Sequence, residues 1–197
     1  MKLLLMTLLA VPLVAQQPAP ANTVEIWSVD KSHSVAAFEI RHLMSIVAGN
    51  FRDFSADIAI DRASPEKSSI EFTIQAKSID TGTPRRDDHL RSSEFFDVEK
   101  FPTITFKSTE VHAKSSTEFE VIGDLTMHGV TRRITLPVTF LGFGKDGNGT
   151  MRCGFAMTST IHRKDFGIVW NRDIPGGGIV LGDEVKVSFH FEAMQKK

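Results

Sequence analysis

Phe119-Glu120-Val121-Ile122-Gly123-Asp124-Leu125-Thr126-Met127-His128-Gly129-Val130 is the stretch on which the fold turns. Phe119, Val121, Gly123 and Leu125 fall on one side of an extended chain, and Glu120, Asp124 and Thr126 on the other. Side chains alternate in this way only in a strand, where successive Cβ atoms point to opposite faces. His128-Gly129 then reads as a tight turn, and Ile134, Leu136, Val138 and Phe140 resume the period of two. The stretch is therefore a hairpin with one apolar and one polar face.

The same pattern extends in both directions. Ala36, Phe38, Ile40 and His42 share a face, as do Phe54, Ala56, Ile58 and Ile60. So do Ile70, Phe72, Ile74 and Ala76, and the shorter pair Ile104 and Phe106. Met151, Cys153, Phe155, Met157 and Ile161 form the next apolar face, and Val185, Val187, Phe189 and Phe191 the last. This gives eight strong strands, with a short extra one at Val24 to Val29. Strands that are wet on one side belong to an antiparallel sheet. No long helical pattern exists to cover the apolar side, so the sheet must cover itself, as a barrel or as a sandwich. The expected fold is all-β: an eight-stranded antiparallel, lipocalin-like barrel, the size at which one small ligand fits inside.

One helix interrupts the strands. Thr83 suits the N-cap, Pro84 the first helical position, and Arg85 to Ser93 continue. Asp87 and Arg91 stand four apart and are expected to pair. Arg85 and Arg86 oppose the helix dipole in the first turn, which reads either as solvated charge or as a site for an anion.

The chain has 197 residues, enough for one domain, and a formal net charge of −1. That balance argues against a dedicated nucleic-acid binder. Met1 to Ala21 reads as a secretory leader, with Lys2, the apolar run Leu3 to Val14 and Ala-containing cleavage sites. The run is too short to cross a bilayer, so the mature chain, 22–197, is expected to carry no membrane span and to be periplasmic or secreted. Cys153 lies in an alternating run and is expected to be a buried small hydrophobe.

Candidate chemistry is sparse. The seven His show neither His-x-His nor His-x-x-x-His spacing, so no metal site is expected. His33 and Ser34 are neighbours and point apart on a strand. Gly176-Gly177-Gly178 lacks the Lys-Ser/Thr of a phosphate loop and reads as a flexible connection. Asp61 and Asp80 read as turn residues. The 15 Phe against no Tyr are more informative, because a buried Tyr needs a hydroxyl partner and Phe needs none. Such an interior either suits a long hydrocarbon guest or is simply a filled core.

Several stretches together resemble the YceI-like family of bacterial exported proteins. They are Trp27-x-x-Asp30-x-x-His33-Ser34, Gly49-Asn50-Phe51-x-x-Phe54, Ser78-Ile79-Asp80-Thr81-Gly82 and Arg86-Asp87-x-His89-Leu90-Arg91-Ser92. The densest is Phe95-Phe96-Asp97-Val98-x-x-Phe101-Pro102-x-Ile104-x-Phe106-x-Ser108. Gly123 to Thr126, Arg163-x-Asp165-Phe166-Gly167-Ile168 and Gly182-Asp183-Glu184-Val185 complete the pattern. The resemblance implies a lipocalin-like barrel holding a long polyisoprenoid, such as a polyprenyl pyrophosphate or an isoprenoid quinone. No catalytic constellation is visible in the sequence, so a non-catalytic lipid carrier or reservoir with no cofactor besides the bound lipid is expected. The run Gly176 to Gly178 departs from the pattern by lengthening a loop that varies among relatives.

On this reading Phe38, Ile40, Phe54, Ile58, Phe72, Ile74, Phe106, Leu125 and Phe155 line the tunnel, since they sit on the apolar faces. Arg86 and His89 share a helix face and, with His42 and Arg163, are expected to meet the head group. The alternative for Arg86 is a salt bridge tying the helix to the barrel. Alternatives for the whole chain are a binder of fatty acids or amides, an enzyme acting on a small amphiphile, and a haem protein using Met127, Met157 or a buried His. A monomer or homodimer is compatible with a closed barrel.

Overall fold

The computed structural model describes residues 24–172, 174 and 178–196. The expected leader, Gly176 and Gly177 lie outside the described residues. The strands are β1 (Glu25–Val29), β2 (Val35–His42), β3 (Ser45–Phe51), β4 (Phe54–Ile60), β5 (Ser69–Gln75) and β6 (Ile79–Asp80), followed by the helix α1 (Pro84–Arg91). Then come β7 (Thr103–Ala113), β8 (Glu118–Met127), β9 (Val130–Lys145), β10 (Met151–His162) and β11 (Leu181–Gln195). All pairings are antiparallel, and β11 closes the sheet by pairing with both β1 and β2.

The eleven segments amount to eight staves. β1 and β2 lie end to end along β11: Trp27 opposes Gln195 at one end, and Phe38 opposes Val187 farther along. β3 and β4 form the second stave, pairing with β2 and β1 respectively. β5 and β6 form the third, pairing with β4 and β3. β7 to β11 then follow as a simple up-and-down meander. The architecture is a closed eight-stranded barrel with one helix, not a sandwich.

Each break has a local cause. Between β1 and β2, the Asp30 side chain accepts the Ser32 N–H at 3.0 Å and starts a 3₁₀ turn over Lys31–His33. Both ends of this turn are sutured to β11: the Asp30 N–H donates to Glu192 O, and the Glu192 N–H donates to Ser34 Oγ. The Trp27-x-x-Asp30-x-x-His33-Ser34 stretch is therefore a splice in a stave. Between β3 and β4 the chain bends at Arg52–Asp53, where the Arg52 N–H donates to Ser78 O and Asp53 O accepts from Gln75. β3 escapes a period-two reading because Gly49 occupies the inner position between Val47 and Phe51. A Cβ at Gly49 would stand 2.5 Å from the Phe38 ring, so the glycine makes room for that ring.

The helix spans Pro84–Arg91, shorter than the sequence suggests. Thr83 precedes it, but its hydroxyl accepts from Arg86 Nη2 instead of capping the helix. The expected Asp87–Arg91 pair does not form. Asp87 is buried and accepts from the Thr81 N–H and hydroxyl, fixing the strand-to-helix turn. Arg91 instead pairs with Asp88 and donates to Lys77 O and Ile79 O.

His128-Gly129 forms the tight turn that the sequence predicts, with both residues at positive φ. Cys153 is buried, and burial pushes its thiol up to about 12, as expected of a small hydrophobe.

Candidate ligand cavity

A cavity of about 940 Å³ occupies the barrel. This is near the upper end of the roughly 300–1,000 Å³ typical of small-molecule sites. Phe38, Ile40, Ile58, Phe72, Ile74, Phe106, Leu125 and Phe155 all line it, together with the β9 row Ile134, Leu136, Val138 and Phe140. Phe54 does not reach the wall. It stands behind Phe72 and Phe191, at ring-centroid distances of 6.1 and 5.8 Å. Alternation fixed its side of the strand but not its depth. Phe72, Phe189 and Phe191 themselves pack at 5.1–5.5 Å and present an aromatic wall.

At one end the wall is closed by a bulge. β9 and β10 lose register between Gly154 and Phe155, and Gly142 adopts a φ of 121°. The extra residue turns Phe143 inward, against Trp27 and Phe140. Arg62 lies 3.7 Å over the Phe143 ring and pairs with Glu25, so this end carries a cation–π lid. Asp61, beside it, accepts from the Ala63 and Ser64 N–H groups, in keeping with its expected turn role.

The other end carries the polar candidates. His42, Arg86, His89 and Arg163 all line the cavity, and a chain of contacts runs from His42 through Arg163 to His89. His42 opposes Leu181 in the sheet, and Arg163 donates to Leu181 O and Gly182 O. Arg163 also donates to Ile168 O, two residues before Trp170. Trp170 packs edge-on to His89, and Phe95 completes the cluster, at centroid distances of 4.9–5.2 Å. His89 Nε2 is hydrogen-bonded to Glu94, which fixes the ring.

Arg86 and Arg163 line the cavity without an ion pair. Among the described residues, the arginine ion pairs are those of Arg52, Arg62, Arg91, Arg133 and Arg152. Arg86 has no carboxylate partner, so it is not a salt bridge between helix and barrel. Its Nε and Nη2 donate to Thr81 and Thr83, while Nη1 has no hydrogen bond to a described residue. Arg163 is 3 % exposed and is held by backbone carbonyls alone. Burial draws its pKa below the ordinary arginine value, opposed by Asp183. A buried cation without a counter-ion is costly, and partial negative charge from a guest would offset that cost.

Sequence reasoning missed Trp170, Phe95 and Phe143 as wall residues. The first two lie in connections without periodicity, and the third reaches the wall only through the bulge. Val185, Val187 and Phe189 had the same alternation as the predicted wall and belong to it.

One acidic cluster lies outside the cavity. Asp30, His33 and Glu192 offer ligand atoms within 4.8 Å of one another. Arg152 Nη1 already bridges two of them, at 2.6 Å from Asp30 and 2.7 Å from Glu192, while its Nε bonds Asp146. Hydrogen bonds from Ser32, His33 and Arg152 hold the Asp30 carboxyl far below the usual carboxylate range. The cluster is an ion network that pins the β1–β2 splice.

Comparison with known proteins gives a consistent result. The model of the YceI-like domain matches residues 27–193. A UPF0312 protein of Vibrio cholerae is 37% identical over 196 residues, covering 96% of this chain and 98% of the relative. The crystal structure of BcnA from Burkholderia cenocepacia superposes with a TM-score of 0.73 at 25% identity, covering 83% of this chain and 98% of that one. A polyisoprenoid binding domain from Saccharophagus degradans, implicated in plant cell wall breakdown, shares the fold. Its TM-score is 0.62 at 18% identity, covering 86% of this chain and 98% of that one.

Proposed function

Because the chain belongs to the YceI-like domain family, we propose that it is a non-catalytic carrier or reservoir holding one long isoprenoid lipid in its barrel. The observation that carries this reading is the cavity: an apolar wall with the guanidiniums of Arg86 and Arg163, neither of them ion-paired, at one end. The wall takes the hydrocarbon, and each CH₂ removed from water contributes roughly 0.8 kcal/mol before association costs. Arg86 Nη1 and the buried Arg163 face a pyrophosphate or a quinone carbonyl, with His42 and His89 beside them. The fork geometry of arginine suits a phosphate. The polyisoprenoid binding domain of S. degradans, built on the same fold, supports the choice of guest. The leader at residues 1–21 supports export to the periplasm or beyond.

Titration with an isoprenoid quinone, a polyprenyl pyrophosphate and a fatty acid tests the reading. The expected result is one tightly bound isoprenoid per chain, with weakened binding and unchanged melting temperature in Arg86→Met. Normal affinity with lowered stability in that variant would make Arg86 structural. Tighter binding of the fatty acid than of either isoprenoid would contradict the choice of guest.

A further inference from the structure

The loops that hold the head-group residues also display apolar side chains to solvent. Met44 is 95 % exposed, and Leu43, Ile46, Val169 and Ile179 are between 39 % and 64 % exposed. Leu43 follows His42, Val169 sits between Ile168 and Trp170, and Ile179 lies two residues before Leu181. The Leu43 N–H donates to Val180 O at 2.8 Å, which ties the two loops into one rim. An apolar patch gathered at loop tips around a cavity is the mark of an interaction surface.

The β2–β3 turn shows that this patch is not incidental. His42 opposes Ser45, so Leu43-Met44 is a two-residue hairpin loop. Leu43 has a φ of 51°, a left-handed conformation that glycine adopts freely and a bulky residue resists. Loops of this length ordinarily carry Gly, Asn, Asp or Ser. Here two large apolar residues stand where turn chemistry and solubility both oppose them, and strain of this kind marks a functional position.

The rim carries two exposed guanidiniums beside these tips, along with the exposed carboxylates of Asp165 and Glu184. Arg41 opposes Ile46 across the hairpin, and its Nε donates to Leu43 O. Arg85 is exposed in the first turn of α1 and reaches the cavity. Neither is among the ion-paired arginines of the described residues. Apolar tips flanked by unpaired guanidiniums fit an interface of acyl chains beneath anionic head groups. We propose that this rim docks on an anionic lipid bilayer, with Leu43 and Met44 inserted below the head groups and Arg41 and Arg85 against them. The cavity end that holds the head-group residues then faces the membrane.

Co-sedimentation of the purified protein with vesicles tests this independently of the cavity's guest. The probe is phosphatidylcholine vesicles with and without phosphatidylglycerol. The protein is expected to pellet with the anionic vesicles and to be released as salt is raised. Leu43→Gly combined with Met44→Ser restores ordinary turn residues, so its melting temperature should not fall. Its vesicle binding should drop roughly tenfold or more, since two side chains no longer leave water. Failure of the unaltered protein to bind anionic vesicles would overturn the proposal. So would equal vesicle binding by a folded double variant.

Discussion

Replacing Arg163 by Met removes a cation from the cavity wall and leaves its acceptors behind. The guanidinium now satisfies Gly182 O and Ile168 O at 2.8 Å each, with a longer contact to Leu181 O at 3.4 Å. Ile168 is buried and Gly182 half-buried, so water cannot readily replace both lost donors, while Leu181 O keeps the bond from Asn171 Nδ2 at 2.8 Å. A buried acceptor left without a partner costs about 1–3 kcal/mol. Two short bonds therefore represent about 2–6 kcal/mol, and removal of an unpaired buried charge returns part of it. We expect a net loss of about 3 kcal/mol, which for a chain of this length lowers Tm by about 6–12 °C. Urea denaturation should show a lower midpoint at unchanged slope, because the surface exposed on unfolding stays the same. Arg163→Lys should fall between the two, keeping charge but losing the fork that spans separate carbonyls. A loss below about 1 kcal/mol in Arg163→Met would refute the reasoning, since it would mean that the carbonyls are readily solvated and the site is wet.

Other perturbations follow from the same structure. Leu136→Trp puts bulk into open cavity and should reduce lipid capacity while leaving Tm nearly unchanged; full capacity would remove Leu136 from the wall. Gly123→Ala places a Cβ 2.4 Å from Lys107 O and 2.6 Å from the Phe106 ring, so urea denaturation should show a loss of about 1–3 kcal/mol. The depressed carboxyls of Asp30 and Asp146 contribute stability in full above the ordinary aspartate value of 3.8 and lose it as pH falls toward their folded values. Thermal melts should therefore fall steeply below about pH 4, and more shallowly in Arg152→Met; parallel curves would dissociate the network from acid sensitivity. Cys153, pushed up to about 12, should react with a thiol reagent at pH 8 only after denaturant is added.

The closed barrel was legible because its inner faces obey period two over most of their length. Eight apolar faces without a covering helix leave a sheet to cover itself, as a barrel or a sandwich, and the pairing of β11 with both β1 and β2 decides for the barrel. What alternation could not show is where a stave breaks. The extra strand expected at Val24–Val29 is real as β1, but it is the front half of the β2 stave, separated by the Asp30 turn. β3 stayed hidden because Gly49 yields its inner space to Phe38, removing the apolar residue that periodicity needs.

The site was legible to a similar depth. Alternation separates inside from outside, and Phe72, Leu125 and Phe155 accordingly line the cavity. It does not separate the wall from a second row, which is why Phe54 stands behind other rings. Helical spacing brought Arg86 and His89 together, while Asp87, on the same helix, was claimed by Thr81 through a turn that only tertiary structure creates. Trp170 and Phe143 depended on a loop path and a bulge, neither of which leaves a periodic trace.

The most direct test of the central claim is native mass spectrometry of the purified protein, followed by organic extraction and identification of what is released. One isoprenoid lipid per chain is expected, lost or sharply reduced when the Arg86 and Arg163 guanidiniums are both replaced by methionine in a variant that still folds. A barrel that emerges empty and then takes up neither a quinone nor a polyprenyl pyrophosphate on titration would contradict it.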